Sequence, residues 1–80
     1  MIDVVVPKWG LMMEDADVLR WLKRVGDSVS EGEPILELET DKATGEVEAP
    51  ASGVLAETLV ESGQTVEPGQ VVGRIRKGEQ

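Results

Sequence analysis

The chain has 80 residues, 16 acidic and 8 basic, for a formal net charge of −8, and it contains neither cysteine nor histidine. That leaves room for one small domain and excludes disulfides, a thiolate zinc centre and an imidazole general base, so catalysis by the domain alone is not expected. The acidic balance argues against nucleic acid as a partner. No apolar run approaches the ~20 residues of a membrane span and no signal-peptide pattern opens the chain, so the expected compartment is the cytoplasm or, after processing, a mitochondrial matrix.

Taken in chain order, the first ambiguous stretch is residues 16–24. Val18, Leu19, Leu22 and Val25 have helical spacing, and Asp15 or Asp17 would cap such a helix. A strand is favoured, because Val18, Arg20 and Leu22 also alternate with Leu19 and Trp21. Further on, Leu36 and Leu38 alternate with Glu37 and Glu39, and Val47 and Ala49 with Glu46 and Glu48. Two half-buried strands joined by a short polar link make a hairpin, with Thr40 to Thr44 as its tip and Lys42 at the end. Taken alone, a lysine at such a turn is an ordinary solvated residue. The pairs Gly26-Asp27, Glu31-Gly32, Ser52-Gly53, Ser62-Gly63 and Pro68-Gly69 read as turns between short apolar runs. In Glu67-Pro68-Gly69-Gln70, proline suits the first central position and glycine the positive φ of the second.

A shift of 37 residues makes the sequence partly repeat itself. Val18 falls on Leu55, Leu22 on Leu59, Gly26 on Gly63, Val29 on Val66, Gly32 on Gly69, Glu33 on Gln70, Ile35 on Val72 and Leu38 on Ile75. This predicts an all-β fold of two halves, about four strands each, related by a quasi-twofold axis. On the same shift Val5 becomes the counterpart of Lys42, which places the hairpin tip at one end of a flattened barrel and both termini at the other.

The run Gly32-Glu33-Pro34-Ile35-Leu36-Glu37-Leu38-Glu39-Thr40-Asp41-Lys42-Ala43 resembles the signature of lipoyl domains, the carrier modules of 2-oxo acid dehydrogenase complexes. Pro7, Gly10, Met13, Glu14, Trp21-Leu22, Gly26-Asp27, Val29, Gly53, Gly63, Val66 and Gly69 extend the resemblance from about Val4 to Ile75. It implies one carrier domain over residues 1–80 with a core of about 3–76. The implied fold is a barrel-sandwich hybrid of two four-stranded antiparallel sheets. Lys42 would bear lipoic acid as an amide, with Asp41 and Ala43 as its flanking residues and Glu39 aiding the lipoylating enzyme. Leu11, Met12, Met13, Glu14 and Asp15 fall in the family's surface loop that partner dehydrogenases read. For Met12-Met13, one core and one exposed methionine is the plainer reading, and Trp21 is expected to pack. Asp15-Ala16-Asp17 departs from the Glu-Gly common after that loop.

The resemblance further implies partners: a lipoate ligase or lipoyl transferase, a thiamin-dependent 2-oxo acid dehydrogenase, an acyltransferase core and dihydrolipoyl dehydrogenase. The dehydrogenase would reductively acylate the arm, the acyltransferase would take the acyl group, and the flavoprotein would reoxidise the dithiol. The cofactor carries the reactive chemistry and the protein positions it. A monomeric domain of a bacterial-type cytoplasmic complex is the expectation. Acylation of Lys42 would move the formal charge from −8 to −9, leaving an acidic tip for basic partner surfaces. Pro7-Lys8-Trp9-Gly10-Leu11 resembles domains of pyruvate- or acetoin-type complexes. Two rival readings remain, a biotinyl carrier, which usually flanks its lysine with methionines, and an unmodified β module used for binding. The chain is either a single-domain carrier or a fragment of a longer acyltransferase.

Overall fold

The computed structural model describes residues 1–7, 15–40 and 43–77. They form eight strands and, among these residues, no helix: β1 (Ile2–Val5), β2 (Ala16–Trp21), β3 (Ser28–Val29), β4 (Pro34–Glu39), β5 (Thr44–Glu48), β6 (Gly53–Thr58), β7 (Thr65–Val66) and β8 (Val71–Lys77). One sheet has the order β1-β8-β6-β3 and the other β5-β4-β2-β7. All neighbouring strands are antiparallel. The expected all-β architecture is borne out, and the stretch 16–24 forms a strand and no helix, although the strand ends at Trp21.

The 37-residue shift carries β2 onto β6, β3 onto β7 and β4 onto the first six residues of β8. It also relates the irregularities. An extra residue bulges out of β4 at Ile35 and out of β8 at Val72, and similarly out of β2 at Leu19 and β6 at Ala56. Each bulge breaks the strict in–out alternation, which is why both Ile35 and Leu36 are buried. Four turns repeat one design, at 24–27, 30–33, 61–64 and 67–70. Their glycines, Gly26, Gly32, Gly63 and Gly69, have φ of 99°, 87°, 92° and 86°. In each, the N–H of the fourth residue donates to the carbonyl of the first. The fourth side chain, Asp27, Glu33, Gln64 or Gln70, in turn accepts the first residue's N–H.

The halves interlock. β3 of the first half pairs with β6 of the second, and β7 of the second pairs with β2 of the first. The core between the sheets is made of counterparts: Val4 with Val47, Val6 with Ala49, Val18 with Leu55, Val29 with Val66, Ile35 with Val72 and Leu38 with Ile75, all buried. Leu22 and Leu59 match in sequence but lie outside this core, and Leu59 is exposed. The pairing also fails at Leu36, whose counterpart is Gly73. There the Trp21 ring takes the space, so close that a Cβ on Gly73 would lie 3.0 Å from Cη2. Its indole N–H donates to the Val60 carbonyl at 2.8 Å, which satisfies the one polar atom of the ring. Trp21 is therefore a packing residue, as expected.

Two sequence expectations need correction. Gly53 is not in a turn. It opens β6, where any Cβ would strike the backbone carbonyl of Arg76 on β8. Val5 is not the counterpart of Lys42 either. Val5 faces Val71 whereas Glu48 faces Pro34, so β1 corresponds to β5 through Glu48. The ungapped shift fails because ten residues separate β1 from β2 but only four separate β5 from β6. The true counterpart of the β4–β5 link is the interval between the end of β8 and the start of β1.

Candidate functional site

The β4–β5 pairing runs out to Glu39 opposite Thr44. Beyond it, the Thr40 N–H donates to the Ala43 carbonyl at 2.8 Å. The Thr40 hydroxyl donates to that same carbonyl at 3.1 Å and accepts the Ala43 N–H at 3.3 Å. The strands are thus closed on each other across the two sequence positions held by Asp41 and Lys42. Those two lie outside the described residues, as do Leu11, Met12, Met13, Glu14 and Trp9. Of the remaining candidates, Asp15, Glu39 and Ala43 are described and exposed.

The fold brings two of these together. Asp15, Asp17, Glu39 and Thr40 line an open depression of about 360 Å³ beside the hairpin. Asp17 and Thr40 were missed as site residues. Asp17 was legible as the outward neighbour of two inward residues, Ala16 and Val18, yet nothing local showed that it would sit across from Glu39 on the adjacent strand. Its Oδ1 accepts the Thr65 hydroxyl at 3.0 Å.

Charge is arranged differently on the two sheets. On the first, Arg74 lies between Asp3 and Glu57 and bonds both, at 3.1 and 2.7 Å. Those bonds, Glu57 first and Asp3 second, push the Arg74 guanidinium further up, so it stays a cation at any working pH. On the second sheet the corresponding row is Glu46, Glu37 and Arg20. There Glu37 bonds Arg20 at 3.0 Å, while Glu46 stands directly opposite Glu37 with like charge. Each row has two carboxylates and one arginine, so the difference between the sheets lies in the rest of their strands: the sheet with the hairpin holds Asp17, Glu37, Glu39, Glu46 and Glu48 against Arg20 alone, and the other holds Asp3 and Glu57 against Arg74, Arg76 and Lys77. At Glu33, the Ser30 N–H and then the Lys23 ammonium, 3.0 Å away, hold the carboxyl below the usual range.

Subtracting one half of the molecule from the other isolates what is not duplicated. Two features remain: the hairpin, and the six additional residues between β1 and β2. Asp15, at the end of the longer connection, and Thr40, at the hairpin, line the same depression. No polar or charged side chain is buried, and no set of His, Cys, Asp or Glu could hold a metal ion, among the described residues.

The fold is an antiparallel β-sandwich of two four-stranded sheets with a closed β4–β5 hairpin. The family model described as biotin-requiring enzyme, covering biotin and lipoyl attachment, matches residues 2–75, and the chain belongs to that family. It is 44% identical over 78 residues to the dihydrolipoyllysine-residue succinyltransferase component of the 2-oxoglutarate dehydrogenase complex of Bacillus subtilis, covering 98% of this chain and 19% of that one. It is 40% identical over 76 residues to the acetyltransferase component of the acetoin cleaving system of Pseudomonas putida, covering 95% and 20%. The solution structure of the lipoyl domain of the 2-oxoglutarate dehydrogenase complex from Azotobacter vinelandii superposes with a TM-score of 0.76 at 37% identity, covering 99% of this chain and all of that one. The chain is thus a lipoyl-type domain, a class whose cofactor is covalent lipoic acid, and it spans about a fifth of the length of the curated relatives it matches.

Proposed function

We propose that this domain is the swinging-arm carrier of a 2-oxo acid dehydrogenase complex, with lipoic acid in amide linkage to Lys42. The observation that carries this reading is the closed β4–β5 hairpin, which has only Asp41 and Lys42 between its clamped ends and whose counterpart in the other half, between β8 and β1, is not a continuous link. When attached, lipoic acid supplies a disulfide that can be reduced and acylated. The protein's own contribution is positional. The sandwich buries its core residues between the sheets, the clamped ends of the hairpin bracket the lysine's position in the chain, and the absence of cysteine in this domain leaves it no thiol to compete in disulfide exchange. Tethering raises the local concentration of the arm at each partner active site.

Glu39, on the rim of the depression, is the recognition carboxylate for a lipoate ligase or lipoyl transferase. The Leu11 to Asp15 segment, whose last residue reaches the same depression, is read by the thiamin-dependent dehydrogenase. The other partners are the acyltransferase core and dihydrolipoyl dehydrogenase, in a bacterial-type cytoplasmic complex. Relatives belong to both 2-oxoglutarate and acetoin systems, so the choice of substrate lies in partner surfaces and not in the scaffold.

The test is intact mass after separate incubations with lipoate ligase and biotin ligase, each with its cofactor and ATP. A single lipoyl adduct at Lys42, abolished in Lys42→Ala with an unchanged thermal midpoint, is the expected result. A biotin adduct would reassign the domain to carboxylases, and no adduct would make it an unmodified binding module.

A further inference from the structure

Resting on that reading, we infer that Thr40 is a positioning residue for the modification of Lys42, acting through its hydroxyl. Three hydrogen bonds join Thr40 to Ala43, and two of them use the hydroxyl. It donates to the Ala43 carbonyl at 3.1 Å and accepts the Ala43 N–H at 3.3 Å, while the Thr40 N–H reaches the same carbonyl at 2.8 Å. A hydroxyl has one donor and two acceptor sites, so it can hold both groups of one partner at once. A strand residue without a hydroxyl would keep only the backbone bond. The pair brackets positions 41 and 42 and nothing else, so the clamp acts on the segment that carries the lysine. The clamp also lies outside the duplicated scaffold. The residue 37 positions after Thr40 is Lys77, which pairs with Gly53 of β6 and has no partner in the β1 register.

The step it serves is attack of the Lys42 amine on lipoyl adenylate supplied by the ligase. The amide forms as AMP leaves with the bonding electrons, and the amine's proton passes to solvent. A ligase must find the amine at a defined place relative to the surface it grips, so a fixed hairpin contributes to encounter and alignment. A small soluble acylating reagent has no such requirement.

The variants are Thr40→Val, which keeps the branched shape and removes the hydroxyl, and Thr40→Ser, which restores the hydroxyl without the methyl. Lipoate ligase should modify Thr40→Val with kcat/KM lower by roughly five- to tenfold, mostly through KM, as loss of about one net hydrogen bond implies. Thr40→Ser should recover most of that loss. The Ala43 amide should exchange with solvent faster in Thr40→Val alone, and acetylation of Lys42 by a small active ester should be unchanged in every form. Wild-type rates for Thr40→Val, or a Thr40→Ser protein as slow as Thr40→Val, would overturn the inference. So would a Thr40→Val thermal midpoint reduced in proportion to the rate, because the residue would then be structural. Failure of the wild-type domain to take lipoate at Lys42 would instead remove the carrier reading, and this inference with it.

Discussion

At the scale of single residues, equivalent turn positions solve one problem with different chemistry. Glu33 and Gln70 both accept the N–H at the start of their turn, but only Glu33 is ionisable, and only it adds an ion pair, with Lys23. Because Glu33 is held below its ordinary range, the native state binds fewer protons than the unfolded state across that interval. Its contribution is fully present above the unfolded carboxylate value and is lost as pH falls through the lowered native one. Glu33→Gln keeps the acceptor, as Gln70 demonstrates in the other half. Thermal midpoints measured from pH 7 down to pH 3 should therefore fall less steeply for Glu33→Gln than for wild type. An unchanged slope would mean that titration of Glu33, held low by the Ser30 N–H first and Lys23 second, has no weight in acid unfolding. The effect is small, since the Lys23 and Glu33 side chains are only partly buried.

At the scale of elements, glycine plays two distinct roles. Gly69 needs its positive φ, and nothing lies within 4 Å of the place a Cβ would occupy. Gly69→Ala should cost about 1–2 kcal/mol, the penalty of left-handed backbone alone. Gly53 has ordinary backbone but no room, because the obstruction is the Arg76 carbonyl, fixed in the β6–β8 ladder. Gly53→Ala has to push β6 and β8 apart and should cost more than Gly69→Ala. Urea midpoints of the two variants test the order directly, and equal losses would show that β8 yields more readily than its ladder suggests. The same contrast explains why β2 begins with Ala16 where β6 begins with Gly53: the methyl that is buried in one sheet has no space in the other.

At the scale of the molecule, the duplication is circular. Four residues, 40–43, link Glu39 to Thr44, and four residues, 77–80, would link Arg76 to Met1 if Gln80 were joined directly to Met1. A permutant with that junction and new ends between Asp41 and Lys42 should fold with the wild-type circular dichroism spectrum and a cooperative melt. Ligase should modify it poorly, because the hairpin is cut. Loss of folding would show that the hairpin nucleates the sandwich; full modification would show that its continuity has no bearing on recognition. The interlocked strand order, β3 with β6 and β7 with β2, also means that neither half buries its core without the other.

The sequence alone determined the strands, four of the five glycine turns, the packing role of Trp21 and the hairpin around Lys42. Those features are written locally, in alternation at period two, in glycine before an Asp, Glu or Gln able to accept a backbone N–H, and in the Thr-Asp-Lys-Ala run. What it did not determine depends on which strand lies beside which. Asp17 faces Glu39 because β2 pairs with β4 across twenty-odd residues of chain. Gly53 meets Arg76, and Trp21 covers Gly73, only once β8 is placed centrally in its sheet. The bulges at Ile35 and Val72 exist only relative to a partner strand, and the six-residue excess between β1 and β2 hid the true counterpart of β1. Strand order is settled by burial of the whole apolar surface, a property of the assembled sandwich that no short window of sequence contains.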